Sequence, residues 1–194
     1  MYRAILRLSQ LMAWLGGAML TALILLVCLS VVGRELNSIL HGDVMSGLAP
    51  GLATWLLDLG VGPVNGDFEL VEAGIAFSIF AFLPLCQITG GHAAVDVFTN
   101  YLPDPANRGL RLATDIVFAA VMVLIAWQLW LGLLSKLDAG QTTFLLEMPV
   151  WWAYALSLLG AVVAAVVACY IAAVRLRETL TGTTILPADL GAEH

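Results

Sequence analysis

Residues 11–33 read LMAWLGGAMLTALILLVCLSVVG, a run of 23 positions without a charge. At 1.5 Å per residue such a run makes a helix of about 35 Å, enough to cross roughly 30 Å of hydrocarbon. Inside lipid a backbone must satisfy its own hydrogen bonds, and a continuous helix does so. The stretch is a membrane span, and it decides the class of the chain. Further charge-free apolar runs follow at Ala73–Thr89, Ile116–Ser135 and Met148–Val174. The second is short, and Phe68 to Val71 lengthen it. The predicted spans are about 11–33, 68–89, 109–135 and 149–174, within one transmembrane domain over residues 1–178.

Composition agrees. Of 194 residues, 61% are hydrophobic and 11% charged, and the mean hydropathy is +0.95. Soluble domains run at about 45–50% apolar and about 25% charged. A water-soluble enzyme, a nucleic-acid binder and a disordered tail are therefore excluded. Arg3 and Arg7 before the first run imitate a secretory signal. The run is too long for one, however, and Leu29 to Arg34 makes a poor small-residue cleavage site.

Lys and Arg set the expected orientation. Arg3, Arg7, Arg108, Arg111, Arg175 and Arg177 fall on one side, and only Arg34 and Lys136 on the other. Both termini are expected in the cytoplasm. The net charge of −6 is partly outward-facing acid such as Asp43, Asp58, Asp67 and Glu69.

Two connections carry helical patterns of their own. Leu48, Leu52, Trp55, Leu56 and Leu59 predict an amphipathic interfacial helix over about 48–60 in the first outer loop. Ala93, Ala94, Val97, Phe98 and Tyr101 predict another over about 92–102, on the inner side between the second and third spans. Asp104-Pro105 then reads as an N-cap followed by a first-turn proline, so the third helix starts there and ends near Lys136. Pro149 is expected to start the fourth helix, where Trp151, Trp152 and Tyr154 form an aromatic anchor and Glu147 favours the helix dipole. Gly160, Ala164, Ala168 and Ala172 recur every fourth residue, a stripe that lets another helix approach closely. Residues 179–194 are expected to form a cytoplasmic tail.

No ionisable residue lies at mid-bilayer depth in any span. Carriers that keep a charge there generally use it for ions or substrate, so this chain is not expected to transport alone. His41, His92 and His194 lie outside the spans, which argues against haem ligation and metal binding. Cys28, Cys86 and Cys169 are dispersed within spans and read as small apolar residues. No catalytic, substrate-binding, metal or cofactor site is expected. The charged groups sit at the ends of spans. Arg34 and Glu35 with Glu69 and Glu72 are expected to form an interhelical ion-pair cluster, and Arg111 with Asp115 a pair one turn apart. His92 and Asp96 share the same spacing. Their bland reading is an exposed surface pair; the sharper one is a docking or ordering element.

Phe68-Glu69-Leu70-Val71-Glu72, Leu83-Pro84-Leu85, Gly90-Gly91-His92-Ala93-Ala94-Val95-Asp96 and Leu102-Pro103 occur in that order. The set resembles the small permease subunit of tripartite ATP-independent periplasmic (TRAP) transporters, the DctQ type. Arg34 late in the first helix and Pro149-x-Trp-Trp-x-Tyr154 also fit, so the resemblance covers Val32 to about Tyr154. It implies an all-α membrane subunit that scaffolds a large M-type permease subunit. The implied activity is sodium-coupled import of an organic acid delivered by a P-type periplasmic binding protein, in a bacterial or archaeal inner membrane. Membrane lipids are the other expected partners. By the same resemblance Arg34, Glu69, Glu72, His92 and Asp96 are candidates for fixing subunit geometry and contact, with Trp151 and Trp152 as interfacial anchors. The long outer loop from Leu36 to Asp67 departs from the pattern. The alternative reading is a membrane-anchor subunit of a respiratory or quinone-linked enzyme.

Overall fold

The computed structural model describes residues 2–42, 50–58, 60–91 and 104–181. It contains α1 (Tyr2–Leu40), α2 (Pro50–Asp58), α3 (Asp67–Thr89), α4 (Asp104–Ala139) and α5 (Trp151–Thr181). Four of these, all but the nine-residue α2, are long and apolar enough to cross a membrane. Among the described residues there is no strand, only an isolated antiparallel bridge between Thr142 and Pro149.

The helices outrun the apolar runs that predicted them. α1 has 39 residues, α4 has 36 and α5 has 31, whereas α3 has 23. At 1.5 Å per residue α1 is about 58 Å long and α3 about 35 Å. Only α3 matches the hydrocarbon thickness, so the other three must tilt or protrude. α1 passes Gly33 because Arg34 to Ile39 leave the apolar run without breaking helical geometry; polarity ends a span, not a helix. α5 begins at Trp151 rather than Pro149, which is held in the bridge. α2 lies within the stretch expected to form an interfacial helix. The second such stretch, over 92–102, lies outside the described residues.

Four spans could close into a bundle, but these lie in a row, in the order α1, α3, α5, α4. α1 packs on α3, α3 on α5, and α5 on α4, while α1 meets α5 only marginally. Burial follows position. Within its most apolar 18 residues α5 is 50% buried and α3 39%, against 17% for each edge helix. Apolar surface gains little by leaving lipid for protein, so close van der Waals contact must hold the row together.

The seam between α1 and α3 is a heptad. A Cβ on Gly16 would lie 3.0 Å from the Ala81 Cβ, and one on Gly74 2.7 Å from Leu23 Cδ1. Ser30 Oγ donates to Asp67 Oδ2 at 2.5 Å. Positions 16, 23 and 30 thus meet 81, 74 and 67, seven residues apart on each antiparallel strand of the seam. This is coiled-coil spacing with at least one small residue, Gly16, Gly74 or Ser30, in each contacting pair. The seam between α3 and α5 uses the predicted small-residue stripe. A Cβ on Gly160 would sit 2.8 Å from the Phe80 Cβ, and Ala161, Ala164 and Ala168 are buried. Ala164, Ala165 and Ala168 then meet Ala119 and Met122 of α4 on the stripe's other flank.

Candidate functional site

The start of α1, the end of α3, the start of α4 and the end of α5 share one end of the layer, the near end; the opposite ends of these helices, with the hairpin between α4 and α5, form the far end. Polar chemistry collects at both ends. At the far end the heptad register brings Asp67 to α1. Its carboxylate accepts from Ser30 Oγ, and Arg34 Nη2 lies 3.8 Å from the same oxygen. Ser30 Oγ also accepts the Val64 backbone N–H at 3.2 Å. A Cβ on Gly33 would collide with the Gly62 carbonyl oxygen, so glycine lets the loop lie directly on α1.

Glu69 follows Asp67 by two residues, a rotation of about 200° around the helix. It therefore turns from α1 to the hairpin between α4 and α5. Its Oε1 accepts the Leu145 N–H at 2.7 Å and its Oε2 the Leu146 N–H at 3.0 Å. The hairpin closes through Thr143 N–H to the Met148 carbonyl at 2.8 Å and Val150 N–H to the Gln141 carbonyl at 3.0 Å. Glu147 stands in this hairpin at φ 52°, before the helix as expected, but four residues ahead of Trp151 because α5 starts later than Pro149.

The expected cluster of Arg34, Glu35, Glu69 and Glu72 is therefore not one cluster. Arg34 goes to Asp67 and Glu69 to backbone amides, because helical rotation separates acids that are neighbours in sequence. Glu72 is exposed and makes no hydrogen bond or ion pair among the described residues. Trp151 and Trp152 meet edge to face, with centroids 5.9 Å apart and planes at 66°. Trp151 is half-buried and Trp152 exposed, as for side chains at the rim of a layer.

Toward the near end, Asp115 of α4 has Arg175 of α5 at 2.8 Å. Gln87 of α3 donates to it from Nε2 at 3.1 Å. Besides the expected neighbour Arg111 one turn away on α4, Asp115 thus meets side chains of two other helices. Residues 87, 115 and 175 belong to different helices, and no local spacing links them. His92 and Asp96 lie outside the described residues.

The far-end hairpin also roofs an open-sided groove of about 720 Å³. Its walls are apolar and come mainly from α1, α3 and α5, with Leu129 of α4 added; Leu23, Ala76 and Phe80 are among them, and Glu69 and Glu72 lie at its mouth.

Such an arrangement defines a polytopic helical membrane protein whose polar side chains tie helices and loops together at the two ends of a layer. Among the described residues no group of three or more His, Cys, Asp or Glu could hold a metal ion. The particular family is shown by comparison. The model for "Tripartite ATP-independent periplasmic transporters, DctQ component" matches residues 23–179, and the chain belongs to that family. The match extends beyond the Val32–Tyr154 resemblance at both ends. It makes the chain a small membrane subunit of a TRAP transporter. The membrane-anchor alternative receives no support. Comparison with curated proteins and with solved structures gave no match.

Proposed function

We propose that this chain is the scaffold-extending small subunit of a sodium-coupled TRAP importer for an organic acid. The family match over residues 23–179 carries the reading. Two physical features support it. The spans hold no ionisable residue at mid-depth, so the chain itself offers no ion or substrate site. The row of helices leaves α1 and α4 largely uncovered, a shape suited to widening a partner.

In this reading a large permease subunit moves substrate and a periplasmic protein delivers it. The small subunit holds the fixed part of the complex against the moving part, with both termini in the cytoplasm. Arg34 and Glu69 set the far-end geometry, while Glu72, Trp151 and Trp152 lie at that rim. His92 and Asp96 serve contact at the near end.

The test is to tag the chain, extract it in mild detergent and identify what co-purifies by mass spectrometry. A larger multi-span protein in fixed ratio is expected; a lone chain or a redox partner would refute the proposal. Replacing His92 and Asp96 by alanine should lower complex yield and uptake. If both stay at wild-type levels, those residues have no contact role.

A further inference from the structure

We propose that the far-end groove is a binding site for one phospholipid with a primary-amine headgroup. The acyl chain lies between α1, α3 and α5, and the ammonium sits on Glu72. Groove length identifies the kind of occupant. The walls run along α3 from Glu69 to Phe80, eleven residues or about 16 Å. Half of a hydrocarbon core of roughly 30 Å is about 15 Å. The groove therefore has the depth of a single leaflet. A partner's spanning helix needs the whole thickness and would leave half its length without a slot. A lipid ends where the groove ends.

Polarity is graded as a lipid requires. Phe80, Leu129 and Met19 line the deep part, whereas Glu69, Glu72 and Trp152 line the mouth. No Lys or Arg lines it, so an anionic headgroup would meet carboxylates with no compensating cation. Glu69 is occupied by the Leu145 and Leu146 amides. Glu72 keeps its acceptors open among the described residues, and a primary ammonium supplies three N–H donors where a choline headgroup supplies none. Between these levels lies Ser157, 4% exposed, whose hydroxyl has no partner among the described residues. A glycerol-ester carbonyl is the acceptor that a lipid brings to that depth.

The site is built from this chain's own spans and far-end hairpin, so its failure would leave the transporter reading intact, and the reverse. The experiment is native mass spectrometry of the full chain with phosphatidylethanolamine, phosphatidylcholine and phosphatidylglycerol of identical acyl chains. The wild type should retain the ethanolamine lipid about two- to fivefold better than either competitor, as a half-exposed ion pair allows. Glu72→Gln should abolish that preference while still holding lipid. Ala76→Trp should exclude all three, with an unchanged thermal transition as the control for folding. A photo-crosslinker at Ala76 in membranes should label lipid. Equal retention of the three lipids would overturn the proposal, as would a preference that survives Glu72→Gln. So would crosslinking to a protein.

Discussion

Single side chains here act mainly by satisfying or failing to satisfy polar groups. Ser9 is fully buried on α1, and its hydroxyl has no hydrogen-bond partner among the described residues. A buried unsatisfied hydroxyl is destabilising, so Ser9→Ala should stabilise the protein by about 1 kcal/mol. Thermal unfolding in detergent reads this as a higher midpoint, and a lower one would show that the hydroxyl has a partner in the folded state. Ser78 shows the opposite case: its hydroxyl donates to the Gly74 carbonyl at 2.8 Å, so the same substitution there lacks that gain. For Glu69→Ala, hydrogen exchange at Leu145 and Leu146 should accelerate while the helices keep their protection. Unchanged exchange would mean that the hairpin holds itself closed.

At the scale of elements, steric room at the seams decides which substitutions the layer tolerates. Gly160 faces Phe80 at a distance that admits no added carbon, whereas a Cβ on Gly17 meets nothing within 4 Å. Gly160→Leu should destabilise by about 1–3 kcal/mol through overpacking, and Gly17→Leu should be near neutral. The pair can be compared by the temperature at which each variant aggregates in detergent; equal behaviour would contradict the close α3–α5 approach. The junction of Asp115 with Arg175 couples α4 to α5 across sequence. A double-mutant cycle with alanine at each should give a coupling of about 1–3 kcal/mol, because either single change strands a partly buried charge. Additive losses would show that the two act independently.

For the molecule as a whole, a row of helices is an unusual way to arrange four spans. A closed bundle would give each helix two neighbours, whereas here α1 and α4 have one principal neighbour each. Trp14 on α1 and Trp127 on α4 are 81% and 62% exposed, so lipid or another protein must cover those faces. Reconstituted by itself, the chain should show no ion-driven uptake, because it holds no charged group at mid-depth to couple with an ion. Uptake should require the larger membrane subunit and the binding protein. Transport by the lone chain in vesicles would overturn the scaffold reading.

Much of this architecture is legible in the residues alone. Uninterrupted apolar length marks the spans, Asp104-Pro105 marks the start of α4, and the four-residue recurrence from Gly160 marks the face that α5 presents to a neighbour. Each is a local property, set by backbone hydrogen bonding in lipid or by the helical repeat. The family resemblance, too, rests on short motifs in a fixed order. Tertiary structure alone decided the rest. Which helix lies beside which depends on steric fit between faces distant in sequence, so the row and its order are not written in any one segment. The heptad joining 16, 23 and 30 to 81, 74 and 67 becomes visible only once α1 and α3 are antiparallel and in register. The same holds for the partners of Arg34, Glu69 and Asp115. A charge at the end of a span has several candidates at similar sequence distance, and helical rotation together with the packing of a third element selects among them.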